Sequence, residues 1–183
     1  MIITITGKPC SGKGTVSKLF CERYNFEYLC TGDMFRKLSM EQSKDITSIQ
    51  ESEDIKNIDK QIDSYIESLG KEKLNQDIVI DSRLAWHFIP ESFKVFIDVD
   101  WDIAGERLMS ANRKTEKYSD KSSAVQGLKH RWEIENARYM ELYSVNNLIP
   151  SQYNLFISSN NKSPEELCDI IYNEYKKYTT KST

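Results

Sequence analysis

Short apolar runs alternate along the chain with stretches in which apolar residues recur at helical spacing. Five runs rich in β-branched or aromatic residues have the length and composition of strands, and they lie at residues 1–6, 26–29, 77–80, 94–99 and 153–157. Helical periodicity marks residues 14–24, a start at about 104, then 125–143 and 163–178. This alternation predicts an α/β fold with a short parallel sheet flanked by helices.

Two polar stretches interrupt this alternation. Residues 40–73 carry isolated isoleucines among charged side chains, a pattern typical of short amphipathic helices. Residues 110–123 are rich in charged and hydroxyl side chains, as mobile flaps often are. We therefore predict one domain over residues 1–183, with a helical insert at 37–72 and a short lid at 111–125.

Composition narrows the possible partners of the chain. Hydrophobic residues make up 39% and charged residues 29%, which is ordinary for a globular protein. The net charge of -3 argues against binding a nucleic acid polymer through bulk charge. The N-terminus has neither a basic flank nor a long apolar segment, which predicts a cytoplasmic protein that does not engage a membrane. A small monomer is the default expectation.

The four cysteines do not indicate a metal site or a disulfide framework. They lie at positions 10, 21, 30 and 168 and include no CxxC pair. Their spacing fits neither a zinc ribbon nor a small disulfide-bonded fold. We expect four reduced thiols.

A glycine-rich segment joins the first predicted strand to the first predicted helix. It reads GKPCSGKGT over residues 7–15 and has the glycine and lysine spacing of a phosphate-binding loop. In such a loop the backbone amides surround an anion, the helix N-terminus adds positive potential, and the lysine reaches the β- and γ-phosphates. The predicted ATP-binding residues are Gly7, Lys8, Pro9, Cys10, Ser11, Gly12, Lys13, Gly14 and Thr15.

This segment departs from the strict phosphate-loop pattern, in which Ser or Thr directly follows the lysine. Here Gly14 and Thr15 follow Lys13, and this GKGT form resembles nucleoside monophosphate kinases rather than most GTPases and motor ATPases. These kinases usually have glycine at the position of Cys10, so a left-handed backbone there would be strained in this chain. A ligand-free turn is the plainer interpretation of the loop. A catalytic thiol at Cys10 is a more specific interpretation, but phosphoryl transfer needs no covalent nucleophile.

Further segments carry this resemblance along essentially the whole chain. TGDMFR at residues 31–36 resembles the TGDMLR segment of adenylate kinases, whose arginine binds the acceptor phosphate. IDKQID at 58–63, VIDSRLA at 79–85 and SPEE at 163–166 resemble segments of the compact cytidylate kinases in the same order. The chain thus resembles the nucleoside monophosphate kinases, nearest the single-domain cytidylate kinases. The resemblance implies the P-loop nucleoside triphosphate hydrolase fold and transfer of the γ-phosphoryl group of ATP to CMP or dCMP.

Two arginines after predicted strand ends are the candidates for binding the acceptor phosphate. Arg36 and Arg83 each carry a planar guanidinium, which can donate two parallel hydrogen bonds to phosphate and stays charged. We call these two residues the acceptor clamp, and Thr31 and Gly32 complete the predicted monophosphate site. A surface ion pair is the alternative role for either arginine.

Acidic and hydroxyl side chains complete the predicted site. The resemblance implies that Asp81, at a strand end, holds magnesium through water or orients the phosphate loop, with Thr15 as the second metal residue. Ser82 stands where the cytidylate kinases have glycine, and its hydroxyl would either contact or crowd the acceptor phosphate. Asp59 and Asp63 of the insert can accept a hydrogen bond from the cytosine amino group. A solvated helix face is the more ordinary interpretation of both.

Several arginines bracket the predicted lid. Phosphoryl transfer spreads negative charge over the moving group, so cations that arrive when water is excluded would stabilise the transition state. Residues 131 and 138 share one helix face, and their spacing resembles the R-x(6)-R of the cytidylate kinase lid region. The predicted transition-state contacts are, in order, Arg131, Arg113, Arg138 and Arg107. The last could instead pair with Glu106 or Asp102.

Two kinds of alternative function stay open at this point. A kinase of the same fold acting on AMP, UMP or a non-nucleotide alcohol would share the phosphate loop, and TGDMFR puts adenylate kinase first among these. A nucleotide-binding switch without turnover is the alternative from another class. The acceptor clamp argues against it, because an ATP sensor has no need to bind a second phosphate. The sequence therefore predicts a kinase whose partners are ATP and a nucleoside monophosphate, with Mg²⁺ as cofactor.

Overall fold

The computed structural model describes residues 1–41, 54–73, 76–111 and 118–181. Its strands are β1 (Ile2–Gly7), β2 (Glu27–Cys30), β3 (Ile78–Asp81), β4 (Phe93–Asp98) and β5 (Leu155–Ser158). Its helices within those ranges are α1 (Lys13–Tyr24), α2 (Thr31–Glu41), α3 (Asp54–Glu72), α4 (Ala85–Phe88), α5 (Trp101–Ser110), α6 (Lys121–Tyr143) and α7 (Pro164–Lys181). All five predicted strands are confirmed, each displaced by no more than about two residues.

The strands form a parallel sheet in the order β2-β3-β1-β4-β5. In the β1–β3 pair, Ile5 lies opposite Asp81, and in the β2–β3 pair, Cys30 lies opposite the same aspartate. In the β4–β5 pair, Asp98 lies opposite Ser158. The polar residues predicted at strand ends therefore do lie at the carboxyl ends of parallel strands, where α/β proteins bind their ligands. The predicted fold class is confirmed.

The chain divides into two compact units, of which the first comprises Met1–Thr6 and Ser17–Lys94. Its core is built on the apolar face of α3. Buried residues of α3 pack with those of β1, β3, α4 and the residue after α4, and the cluster consists of Ile2, Ile55, Ile58, Ile62, Ile66, Leu69, Ile78, Ile80, Ala85 and Ile89. The isoleucine spacing thus correctly predicted an amphipathic helix, and in the part of the insert that the structure describes this helix is 19 residues long. Ile46 and Ile49 lie outside the described residues.

The second unit comprises Gly7–Val16 and Val95–Thr183. One of its clusters joins α5 to the start of α6, and its buried members are Val99, Ala104, Leu108, Ala124 and Leu128. On the β4–β5 pair, the rings of Phe96 and Phe156 stack with their centroids 4.7 Å apart. None of the helices in the described ranges is both long enough and apolar enough to cross a membrane.

Two helices, α5 and α6, begin about three and four residues earlier than the periodicity predicts, and local hydrogen bonds explain the start of α6. α6 begins at Lys121 rather than near 125, because Asp120 and Ser123 form a capping box that satisfies the first amides of the helix. The C-terminal part of the predicted lid, residues 121–125, is therefore helical. α2 begins at Thr31, and the Thr31 hydroxyl contacts the Asp81 carbonyl at 3.4 Å.

The predicted start of the last helix is confirmed in detail. Ser163 Oγ accepts a hydrogen bond from the Glu166 amide at 3.1 Å, and Glu166 Oε2 accepts one from the Ser163 amide at 2.7 Å. Pro164 occupies the first helical position, where its missing N–H costs nothing. The sequence pattern SPEE thus forms a complete capping box.

Candidate active site

The phosphate loop, residues 7–15, has a backbone that requires glycine at two positions. A Cβ added to Gly7 would lie 2.1 Å from the Ile97 carbonyl oxygen, so only glycine allows this approach. Gly12 has φ +88°, a left-handed value that side chains disfavour. The Ser11 amide donates to the Lys8 carbonyl at 3.2 Å and closes a turn within the loop. This geometry explains the glycine spacing from which the loop was predicted.

Cys10 adopts a backbone conformation that is strained for any residue other than glycine. Its φ is 60°, in the left-handed region. A residue with a Cβ costs about 1–2 kcal/mol there relative to the right-handed conformation. The loop therefore keeps a glycine-type conformation although a cysteine occupies the position, and other contacts must compensate for the cost.

Ser11 supplies a buried hydroxyl that an anion could satisfy. The residue is 1% exposed, and its Oγ has no hydrogen-bond partner within the described part of the chain. Buried hydroxyls are rarely left unpaired unless a ligand, ion or water completes them. α1 begins at Lys13, so the amides of its first turn add positive potential next to this hydroxyl. The loop thus has the donors that phosphate groups require.

The side chain of Lys8 fastens the beginning of the loop to the end of β4. Its Nζ lies 2.7 Å from Asp98 Oδ1 and 3.3 Å from the Val99 carbonyl oxygen. The same ammonium group lies 5.0 Å from the centroid of the Trp101 ring. Because these contacts hold the ammonium group of Lys8, its backbone, and not its side chain, is the part suited to an ATP site.

Arg36 of the acceptor clamp lies on α2 with its side chain exposed and ion-paired to Asp33, one turn earlier. The hydrogen bond from the Arg36 guanidinium lowers the pKa of the Asp33 carboxyl, so this carboxylate is ionised at neutral pH. The surface ion pair considered as the alternative role of Arg36 therefore exists in the structure. A phosphate group that binds Arg36 would have to compete with this carboxylate.

Replacing Asp33 with asparagine is expected to improve binding of the acceptor. Without the carboxylate, the Arg36 guanidinium no longer has to leave an ion pair, so KM for the nucleoside monophosphate should fall about two- to fivefold. Steady-state kinetics at saturating ATP measure this change. Glu27→Gln is the matched control, because it removes a carboxylate paired with Lys73 on the surface of the same unit. An unchanged or higher KM in Asp33→Asn would contradict the expectation.

Asp81 is buried at the end of β3, and two side chains of β2 reach its carboxylate. The Tyr28 hydroxyl lies 3.5 Å from Asp81 Oδ2, and the Cys30 sulfur lies 3.9 Å from the same oxygen. Burial, and next the Asp81 charge, raise the pKa of Tyr28, so its hydroxyl stays protonated and can donate. Sequence reasoning missed both partners. The parallel register of β2 and β3, with Cys30 opposite Asp81, is what brings them together.

Ser82 has a local role that neither sequence interpretation anticipated. Its Oγ accepts hydrogen bonds from the amides of Leu84 and Ala85, both at 3.3 Å, and so closes the turn that leads into α4. The next carbonyl, that of Arg83, accepts a hydrogen bond from the Thr6 hydroxyl at 3.2 Å. These contacts fix the backbone that carries the half-buried Arg83 side chain. A glycine at position 82 would supply no such cap.

The two aspartates of the insert lie on α3. Asp59 is buried, at 8% exposure, and Asp63 is half-buried. A solvated helix face therefore does not describe Asp59. Burial alone does not assign Asp59 to the acceptor base, and contact of either aspartate with that base stays a prediction.

The two candidate arginines on α6 lie beside a glutamate that sequence reasoning missed. Arg131 Nε lies 3.0 Å from Glu135 Oε1, and Glu135 is 5% exposed. Arg138 is also buried, and its guanidinium lies 5.4 Å from the centroid of the Tyr139 ring. Burial of this kind does not fit a generic solvated helix face. The contact could have been predicted from the spacing of four residues between Arg131 and Glu135, which makes them neighbours on the helix surface. Arg113 lies outside the described residues.

Arg107 does not form the ion pair proposed as its alternative role. Lys121 instead contacts the two acids in question, with Nζ 2.6 Å from Glu106 Oε1 and 3.9 Å from Asp102 Oδ1. The Arg107 guanidinium donates to Cys10 of the phosphate loop and to Ser159, the residue after β5. This arginine therefore supports the loop backbone.

The residues predicted to hold magnesium offer the oxygen donors that this ion prefers. Thr15 has an exposed hydroxyl in the first turn of α1, and Asp81 has a buried carboxylate at the end of β3. In the described ranges, no group of three or more His, Cys, Asp or Glu side chains forms a protein metal cage. Magnesium in phosphoryl-transfer sites takes few protein ligands and keeps phosphate and water oxygens, so these two residues fit it.

Comparison with known proteins places the whole chain among P-loop kinases. The family described as the AAA domain matches residues 3–139. A cytidylate kinase from Methanococcus aeolicus is 32% identical over 93% of this chain and 95% of its own length. An S-adenosylmethionine-dependent nucleotide dehydratase from Lacinutrix mariniflava is 29% identical over 96% of this chain, which spans only 36% of that protein.

A solved structure shows the same fold. The shikimate kinase from Aquifex aeolicus superimposes with a TM-score of 0.63 over 98% of each chain, at 19% sequence identity. At that identity the likeness concerns the fold alone. It agrees with the parallel sheet, the phosphate loop after β1 and the helices that follow.

Proposed function

Because the chain belongs to the AAA-domain family of P-loop proteins, as a nucleoside monophosphate kinase related to the cytidylate kinases, we propose that it phosphorylates CMP or dCMP with ATP. The observation that carries the proposal is the phosphate loop. It combines two obligatory glycines, a buried hydroxyl with an unmet hydrogen bond and the start of α1 at Lys13. Proteins use this arrangement for the phosphates of a nucleotide.

On the donor side, the loop amides and the Ser11 hydroxyl bind the β-phosphate and its neighbours. The long, flexible side chain of Lys13 keeps its positive charge beside the terminal phosphoryl group as that group moves. This charge also neutralises the negative charge that develops on the bridging oxygen. The first turn of α1 adds its dipole. No nucleophile from the protein takes part, because the acceptor phosphate itself attacks the γ-phosphorus.

On the acceptor side, Arg36 and Arg83 hold the monophosphate so that one of its oxygens can attack in line. Thr31 and Gly32 form the start of α2 beside this position and contribute to the same phosphate site. Asp59 and Asp63 accept hydrogen bonds from the exocyclic amino group of cytosine. Catalysis then comes mainly from holding two phosphates in the reactive geometry and excluding water.

The transition state spreads negative charge over the three equatorial oxygens of the moving group. Arg131, Arg138 and Arg113 supply cations to it, and Glu135 positions Arg131 through the 3.0 Å contact on α6. Mg²⁺, when bound, neutralises the β- and γ-phosphate oxygens, and Thr15 and Asp81 would hold it, the latter through water.

The identity of the acceptor is tested by measuring initial rates of ADP release. The reaction contains ATP and Mg²⁺ with CMP, dCMP, UMP, AMP, GMP or shikimate, and a reaction without acceptor is the background. We expect kcat/KM for CMP or dCMP to exceed that for UMP at least about tenfold, because uracil has a carbonyl oxygen in place of the amino group that the aspartates would accept a hydrogen bond from. A preference for AMP would show that TGDMFR is the better guide. ATP binding without turnover on any acceptor would favour a nucleotide switch.

A further inference from the structure

Arg107 joins the phosphate loop to the end of β5 through one guanidinium group. Its Nη1 donates to the Cys10 carbonyl oxygen at 3.2 Å and to Ser159 Oγ at 2.9 Å, and its Nη2 donates to the Ser159 carbonyl oxygen at 3.0 Å. Ser159 is buried, and its amide donates to the Asp98 carbonyl at 2.8 Å. The arginine thus connects the loop to a residue that is itself anchored to β4.

The contact falls on the peptide group that gives the loop its shape. In a trans peptide the C=O and N–H point in opposite directions, so holding the Cys10 oxygen also directs the Ser11 N–H. That N–H donates to the Lys8 carbonyl at 3.2 Å and closes the turn inside the loop. One hydrogen bond from Arg107 therefore orients both the loop carbonyl and the loop amide.

Cys10 makes this orientation harder to maintain than it is with glycine. Its φ of 60° is unfavourable for any residue with a Cβ, so the unbound loop should tend to leave this conformation. A charged donor on the Cys10 carbonyl opposes that tendency, because hydrogen bonds to ionised groups are stronger than neutral ones.

We infer that Arg107 is a positioning residue that holds the phosphate loop in its anion-binding shape through the Cys10 carbonyl, and that this contact compensates for the cysteine at a left-handed position. The inference rests on the proposed function only in that the loop binds the phosphates of ATP. Arg107 acts through the loop backbone and needs no contact with the nucleotide.

The test is binding, measured by isothermal titration calorimetry with ATP and with inorganic tripolyphosphate, which has no base or sugar. Arg107→Met should weaken both about tenfold, the usual effect of losing a hydrogen bond from a charged group. Arg107→Lys should weaken both by less, because an ammonium can reach one acceptor but lacks the planar fork. Lys121→Met is the control, since it removes a cation that contacts α5 without touching the loop.

A second substitution separates loop positioning from a general loss of structure. Cys10→Gly in the Arg107→Met background should restore tripolyphosphate affinity to within about threefold of wild type, because glycine adopts the left-handed backbone without a Cβ penalty. Cys10→Gly alone measures the effect of this substitution while Arg107 is present, and the double variant is compared with it. A merely structural role for Arg107 would leave the double variant as weak as Arg107→Met.

The outcomes distinguish this inference from the proposed function. Weakened ATP binding with unchanged tripolyphosphate binding would mean that Arg107 contacts the base or sugar, and would overturn the positioning role. Equal affinities of Arg107→Met and wild type for both ligands would also overturn it. Failure of wild type to bind either ligand would instead refute the phosphate-loop function itself.

Discussion

Replacing Lys13 with methionine is expected to lower kcat by about a thousandfold or more while the protein stays folded. Lys13 is the first residue of α1 and only half-buried, so methionine can occupy its place without a cavity or a clash. The lost charge acts on the terminal phosphates, where the transition state is more negative than the ground state. KM for the acceptor should change much less than kcat, because the acceptor clamp is intact.

Single-turnover and steady-state rates of ADP formation measure the effect of Lys13→Met. Arg23→Met is the matched control, because it removes a cation from the last turn of the same helix. Circular dichroism and thermal melting should give the same Tm for both variants within a few degrees. Retained turnover in Lys13→Met, with less than about a tenfold loss, would contradict the role of the phosphate loop.

Replacing Arg36 with methionine is expected to raise KM for the nucleoside monophosphate about 10- to 100-fold and to leave ATP binding unchanged. In the proposed site the guanidinium gives the acceptor phosphate two charge-assisted hydrogen bonds, and methionine supplies none. Arg36→Lys should restore only part of the loss, because an ammonium cannot form the bidentate pair. Stability should not fall, since the side chain is exposed and its ion pair with Asp33 lies on the surface.

Acceptor titrations at saturating ATP measure KM for the Arg36 variants, and calorimetry measures ATP affinity separately. Lys37→Met is the control, because it removes the neighbouring exposed cation of α2. An unchanged KM for every acceptor would assign Arg36 to the ion pair with Asp33 alone. Weakened ATP binding would instead place Arg36 on the donor side.

The main elements of the fold could be predicted from the sequence because their signals are local. Each strand is a short apolar run with polar residues after it, and the isoleucine spacing of α3 matches the face it buries. The start of α6 was misplaced by four residues because the capping box at Asp120 and Ser123 precedes the apolar periodicity. The short helix α4 was missed, since four residues carry no periodic pattern.

The phosphate loop was predictable for a different reason: its function restricts which residues can stand at each position. Gly7 and Gly12 are required by close approach and by backbone angle, whereas the left-handed angle at Cys10 does not follow from a cysteine at that position. Contacts between distant segments could not be predicted in this way. The bonds of Arg107 to Cys10 and Ser159 join residues 97 and 52 positions apart, and no local pattern encodes them.

The candidate residues of the acceptor side follow from the sequence, and their contacts do not. Arg36, Arg83 and Asp81 were identified from motif resemblance and strand ends. The pairing of Arg36 with Asp33, the cap formed by Ser82 and the donors around Asp81 depend on side-chain rotamers and strand register. Sequence patterns specify side-chain rotamers and strand register poorly. A contact is easier to predict when both of its residues lie on one helix, as Arg131 and Glu135 do on α6.

Phosphoryl transfer itself is tested most directly by ³¹P nuclear magnetic resonance of a reaction that contains ATP, CMP and Mg²⁺. ATP hydrolysis and ATP-dependent kinase activity both release ADP, but only the kinase forms a new diphosphate on the acceptor. We predict that ADP and CDP appear in equal amounts and that no inorganic phosphate accumulates. Inorganic phosphate without CDP, or unchanged ATP in the presence of every nucleoside monophosphate, would contradict the proposed function.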